Sequence, residues 1–129
     1  ANRLPRMIAV QTENCQPLVE TWTGHHQNSK DYRGQPTLAN GLAVPNPFAE
    51  QMILEILRES QGKPIAVSDR EIIDDMKRIA ALEGMLIAPE GAALVTAVRK
   101  LLTDETVSRD ARILLLNTGS GYKYLENIC

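Results

Sequence analysis

Ile113-Leu114-Leu115-Leu116-Asn117-Thr118-Gly119-Ser120-Gly121 is the stretch that decides the fold. Four consecutive apolar residues at strand length, without alternation, describe a strand covered on both faces, as in a parallel sheet between layers of helix. The run leads straight into glycines, where backbone can approach a ligand closely, and Thr118 and Ser120 each add a hydroxyl that donates or accepts. In open parallel sheets ligands bind beyond the carboxyl ends of the strands, which makes Asn117–Gly121 the leading candidate for a binding turn. A plain connecting turn is the equally weighted alternative.

Two further runs, Met7-Ile8-Ala9-Val10-Gln11 and Pro64-Ile65-Ala66-Val67, read as strands of the same kind. Between them Pro17–Trp22 makes a short helix. Phe48–Ser60 makes a longer one, with Met52, Ile53, Ile56 and Leu57 at helical spacing and Gly62 as its stop. Ser68-Asp69-Arg70-Glu71 is a capping box opening a helix with an apolar face of Ile72, Ile73, Met76, Ile79, Ala80 and Leu82, ended by Gly84. Pro89 suits a first helical turn and Glu90 complements its positive end, so a last helix runs to Leu102. Strand, helix, strand, helix, helix, strand predicts an α/β fold, a partial parallel sheet with covering helices in one segment, 1–129. Residues 24–47, dense in Gly and Pro, form a long loop, expected to be mobile and with disorder left open. A loop of that length is either functional or packs on something outside these residues.

The 129 residues are 43% hydrophobic and 23% charged, enough apolar content for a packed core in one domain. A net charge of -2 leaves no basic surplus for a phosphate backbone, so nucleic acid is not an expected partner. Cys15 and Cys129 form no C-x-x-C pair, and neither a zinc site nor a disulfide framework is indicated. No run reaches the roughly 18–20 apolar residues of a membrane helix, and no export signal is visible. A reduced, cytoplasmic protein is the expectation. The chain begins without Met and enters a strand almost at once, as a piece cut from a longer polypeptide would; tag removal or processing would give the same start.

Other motifs carry less. The terminal turn lacks the Walker pattern and no helix follows to hold an anion, and no G-x-G-x-x-G or G-x-S-x-G is present. His25-His26 fall in the loop without the i, i+4 spacing that converges on a metal, so no metal site is expected. Cys15 follows a strand but reads first as a core residue. Glu83-Gly84 with Pro89-Glu90-Gly91-Ala92-Ala93 would let a helix N-terminus approach a flat ligand or another helix; tight packing with a dipole-complementing Glu90 is the plainer reading.

Taken in order, Pro5–Gln11, Thr37, Gly41-Leu42, Val44-Pro45, Pro47-Phe48, Val67-Ser68-Asp69, Glu83-Gly84, Pro89–Ala93 and Leu116–Tyr124 resemble the C-terminal part of threonine synthase, of the tryptophan-synthase-like (fold type II) pyridoxal-phosphate enzymes. The resemblance covers nearly the whole chain. It implies a pyridoxal 5′-phosphate cofactor, with the Thr118 hydroxyl on its pyridine nitrogen, the backbone of Gly119 and Ser120 beside the ring, and Glu90 at an acidic position near it. Ser120 stands where many threonine synthases have histidine. The Schiff-base lysine and the loop for the cofactor phosphate belong, by the same resemblance, to an earlier part of such an enzyme. Lys63, Lys77, Lys100 and Lys123 read as surface or element-end lysines. The implied activity is conversion of O-phosphohomoserine and water to threonine and phosphate by the full-length lyase. No catalytic residue is expected in this segment, which would be inactive alone and would not hold the cofactor by itself. The remainder of the same enzyme is its expected partner, a small amino acid its substrate, and self-association its behaviour in isolation. A related amino-acid dehydratase or lyase, or a non-catalytic α/β ligand-binding module, are the alternatives.

Overall fold

Two of the three apolar runs become hydrogen-bonded neighbours. In the computed structural model, which describes residues 4–127, strand β1 (Ile8–Thr12) pairs in parallel with β2 (Lys63–Val67), in register from Ile8 opposite Lys63 to Thr12 opposite Val67. Parallel strands need a long connection. Here it carries helix α1 (Pro17–Trp22), the loop, and helix α2 (Glu50–Glu59). Helices α3 (Asp69–Glu83) and α4 (Pro89–Thr103) follow β2.

Local chemistry explains where these elements start. Helix α1 lacks a side-chain cap from its own flank, but the buried Gln11 of β1 reaches over, and its Oε1 accepts from the Leu18 and Val19 N–H groups at 2.9 and 3.3 Å. These are donors that a helix leaves without an internal partner. The capping box forms in full: Ser68 Oγ accepts from the Glu71 N–H at 3.3 Å, and Glu71 Oε2 accepts from the Ser68 N–H at 3.0 Å. Gly84 closes α3 with φ 65°, the left-handed conformation glycine adopts without steric cost.

Ile72, Met76 and Ile79 of α3 meet Ala92, Ala93 and Ala97 of α4 in the core, with Val67 of β2 beneath and Ala39 of the loop inserted at its edge. Small residues on α4 allow that close approach. Asp75, fully buried between the two helices, accepts from Thr96 Oγ1 at 2.8 Å and pairs with Arg99 at 2.9 Å and Arg78 at 3.2 Å.

Two expectations need correction. Ile113–Leu116 is irregular backbone, with Leu114 83% and Leu116 70% exposed, and not the buried strand its composition predicts. The sheet among the described residues ends at two strands, and nothing there pairs with this run or buries the face carrying Leu114 and Leu116. On α2 the inward residues are Leu54 and Leu57, while Met52 and Ile56 are exposed. The helix is rotated towards α1 and β2, because Glu50 turns inward to take Thr21 Oγ1 at 2.9 Å and the Ser29 N–H and hydroxyl at 3.1 and 2.9 Å. That carboxylate also binds the loop to the helix. Within residues 24–47 the regular structure is one 3-10 turn at Asn40–Leu42, with Ser29, Thr37 and Ala39 buried.

Candidate functional site

The carboxyl ends of the strands gather five segments. Asp69, the first residue of α3 and two past the end of β2, accepts from Thr37 Oγ1 at 2.6 Å and from the Leu38 N–H at 2.8 Å, fastening the loop over the strand end. Asn14, just past β1, donates from Nδ2 to Pro36 O at 2.9 Å. Lys63 at the start of β2 meets Thr106 and Asp104 beyond the end of α4. Helix α4 therefore runs back along the sheet, and its N-terminus lies towards the strands' carboxyl ends.

The glycine-rich turn sits on that N-terminus. Two backbone bonds strap it down: the Ala88 N–H donates to Gly119 O at 3.2 Å and the Gly121 N–H to Leu86 O at 2.8 Å, flanking the bridge between Ile87 and Ser120. The fit has no room to spare. A Cβ at Gly121 would lie 2.5 Å from Ile87 O, one at Gly119 would meet the Ala88 Cβ at 3.0 Å, and one at Gly91 would overlap Asn117 Oδ1. Contact with protein backbone requires glycine at Gly121 and leaves Gly119 and Gly91 closely packed, which composition alone does not distinguish from contact with a ligand.

Thr118 and Ser120 are exposed. Ser120 Oγ accepts from the Tyr122 N–H at 3.4 Å, a long bond, and Thr118 Oγ1 makes no hydrogen bond among the described residues. Glu90, half-buried in the first turn of α4, accepts on Oε1 from the Gly41 N–H at 2.8 Å and from Tyr124 Oη at 3.2 Å. So Thr118, Gly119, Ser120 and Glu90 are brought to one end of one helix. Asp69 and Tyr124 were not singled out as site residues from sequence. An Asp two residues past a strand end was a usable signal for the first; nothing in the local pattern marks the second.

The remaining candidates lie elsewhere. His25 is 69% exposed and pairs with Glu20 at 2.9 Å. Among the described residues no group of His, Cys, Asp and Glu is arranged to hold a metal. Cys15 is buried, and burial pushes its thiol pKa up, partly offset by a backbone contact with Val44, which disfavours the reactive thiolate. Lys63 and Lys100 are partly exposed and paired with Asp104 and Glu71, and Lys77 and Lys123 are exposed. Among the described residues no helix is long and apolar enough to cross a membrane.

A family model described as "pyridoxal-phosphate dependent enzyme" matches residues 1–119, ending inside the turn. The chain belongs to this family of pyridoxal-phosphate-dependent enzymes. It is similar to threonine synthase of Methanocaldococcus jannaschii, 30% identical over 95% of this chain and 30% of the relative. Threonine synthase of Methanosarcina acetivorans is 31% identical over 90% and 29% of the two chains. Cysteate synthase of Methanococcoides burtonii is 29% identical over 97% and 30%. The chain thus spans about 30% of the length of these curated relatives. The two-stranded parallel sheet with its covering helices is a portion of the family's fold type II architecture.

Proposed function

We propose that this chain is the C-terminal segment of a cytoplasmic threonine synthase, in which O-phosphohomoserine and water become threonine and phosphate. The observation that carries this reading is the exposed Thr118 hydroxyl, without a hydrogen-bond partner among the described residues, on a turn held against the N-terminus of α4. Similarity to threonine synthases over nearly the whole chain supports the choice of reaction.

The residues present fit the ring end of pyridoxal 5′-phosphate. Thr118 can hydrogen-bond a pyridine nitrogen, Gly119 and Ser120 offer backbone without bulk beside a ring, and Glu90 stands near with its carboxylate. When bound, the cofactor supplies an electron sink for chemistry at the amino-acid carbons. A neutral hydroxyl partner leaves the ring nitrogen largely unprotonated and moderates that sink, which suits elimination and replacement. Holding the cofactor phosphate and carrying the cofactor on a lysine fall to the remainder of the enzyme, this segment's proposed partner. The segment alone is therefore expected to be inactive and not to bind the cofactor.

The test is Thr118→Ala in the full-length polypeptide loaded with pyridoxal phosphate. A shifted cofactor absorption and reduced phosphate release from O-phosphohomoserine are expected; unchanged spectra and rates reject the assignment. The cysteate synthase relative favours a second reading, a related lyase with another leaving group. Assaying threonine and serine beside O-phosphohomoserine separates the two, and absence of phosphate release removes the first.

A further inference from the structure

Glu90 lies where three separate segments meet. Its own helix begins one residue earlier, at Pro89. From one side comes the 3-10 turn Asn40–Leu42, whose Gly41 N–H reaches Oε1 at 2.8 Å. From the other comes the segment after the glycine-rich turn, whose Tyr124 hydroxyl donates to the same oxygen at 3.2 Å. Both donors converge on one atom, although Gly41 and Tyr124 are far apart in sequence.

Each arm is anchored independently of Glu90. Ala39, just before the 3-10 turn, is fully buried in the core, with Leu38 and Leu42 packed against it, and Asp69 holds the Leu38 N–H at 2.8 Å. The Tyr124 side chain packs against the same core cluster, so its ring is fixed at one end and its hydroxyl at the other. Gly41 permits the approach, because a Cβ there would lie 2.9 Å from Glu90 Oε1 and 3.1 Å from its Cγ and would press the carboxylate away. Burial first, and then the neighbouring Glu90 carboxylate, raise the Tyr124 pKa, so the phenol keeps its proton and remains a donor at neutral pH.

The glycine-rich turn lies between these anchors. Upstream of it, Ile113–Leu116 is irregular backbone with no backbone hydrogen bond among the described residues, and Asn117 lies against Gly91. Downstream, the backbone straps at Gly119 and Gly121 are followed within three residues by Tyr124. On its C-terminal side, the direction in which Thr118 points is governed by the straps and by whatever holds the segment that continues from them.

We propose that Glu90 and Tyr124 are positioning residues. Glu90 Oε1 clasps the Gly41 N–H and the Tyr124 O–H together, and this clasp fixes the Asn117–Gly121 turn, and with it the Thr118 hydroxyl, over the N-terminus of α4. The clasp rests on the reading of that turn as ligand-facing, and it assigns Tyr124 a part in the site. Both bonds end on a carboxylate oxygen, the stronger class of hydrogen bond. Loosening the Tyr124 arm frees the segment that follows the turn, and loosening the Gly41 arm frees the carboxylate that holds that segment.

The experiment breaks the clasp from its two arms without touching Thr118. Tyr124→Phe removes one donor and Gly41→Ala pushes the carboxylate away from the other. In the full-length polypeptide, amide hydrogen exchange is followed at Gly121, whose N–H forms a strap, and in the middle of α3 as a control. Each single variant is expected to speed exchange at Gly121 by roughly tenfold, the loss of one charge-assisted bond, with α3 unchanged. Because both act through one oxygen, the double variant should be no faster than the faster single. Glu90→Ala should match the double, and Glu90→Gln, which keeps an acceptor oxygen, should recover part of the protection. Wild-type exchange at Gly121 in the single variants, or fully multiplying effects in the double, overturns the clasp.

A spectroscopic readout separates positioning from mere support. With pyridoxal phosphate bound, Tyr124→Phe is expected to move the cofactor absorption in the same direction as Thr118→Ala. Faster exchange with unmoved absorption, where Thr118→Ala does move it, overturns the positioning role. If Thr118→Ala itself leaves absorption unchanged, the cofactor reading of the turn has failed, and the clasp is judged by exchange alone.

Discussion

Self-association through the exposed Leu114 and Leu116 is the expected outcome for this chain, and replacing both with lysine should weaken it by an amount the exposures allow to be estimated. Leu114 is 83% and Leu116 70% exposed. Fully burying a leucine contributes roughly 1.5–3 kcal/mol, so covering these two recovers about 2–5 kcal/mol of apolar burial. Ile113 and Leu115, 44% and 38% exposed, add less. A second copy offers the same apolar run with free backbone donors and acceptors, the kind of edge along which chains pair. Since about 1.4 kcal/mol is a factor of ten, losing the lower bound should raise the dissociation constant at least roughly thirtyfold. Sedimentation equilibrium on the 129-residue chain across a wide concentration range reads this directly. A wild-type chain that remains a monodisperse monomer at high concentration refutes the reasoning. So does a variant that associates as strongly as wild type while Met52→Lys on the exposed face of α2 abolishes association, since the contact would then lie on that helix.

Asp75→Ala should lower stability by about 2–4 kcal/mol in urea unfolding, because it removes a buried acceptor of Thr96, Arg99 and Arg78. The two arginines are 49% and 54% exposed and can rehydrate, which keeps the loss below that of stranding a buried charge; a change under about 0.5 kcal/mol would contradict it. Burial alone would raise the Glu71 carboxyl, but the Ser68 N–H, the Lys100 ammonium and the Ser68 hydroxyl outweigh it and hold the pKa at about 2. A depressed carboxylate pKa contributes stability that is present above the unfolded value near 4.5 and lost as pH falls towards 2. With the side chain 38% exposed, solvent screening limits that contribution to about 1 kcal/mol. Unfolding midpoints of Glu71→Gln and wild type should therefore differ at pH 6 and converge near pH 2, and a constant difference would contradict the assignment.

Elements whose instructions are local were legible in the sequence. Ser68 with Glu71, Gly84 and Pro89 mark helix boundaries by backbone chemistry that needs no distant partner, and the structure places α3 and α4 accordingly. The orientation of α2 was not legible, because its apolar residues surround more than one face. The choice among them is made by Glu50, a charged residue that hydropathy assigns to solvent and that three donors from α1 and the loop draw inward.

The run at Ile113–Leu116 fails differently, and the failure is informative. Its composition states what the residues require, cover on two faces and a ladder partner on each side, and not that these are present in the same 129 residues. The turn that follows keeps its place without them because its contacts are with the start of α4 and the segment leading into it: Gly119 and Gly121 bond to the backbone at Ala88 and Leu86, and Gly91 makes room for Asn117. The same glycines that mark a ligand-facing turn in sequence are thus accounted for by contact with the Leu86–Ala88 segment before the helix, which leaves the hydroxyl of Thr118 as the feature of the turn without a hydrogen bond among the described residues. A residue free of structural duty on a turn fixed to within ångströms by its neighbours is where a functional contact can be altered without unfolding the protein. That separation is why Thr118→Ala and Tyr124→Phe test different statements: the first removes the contact, and the second removes what aims it.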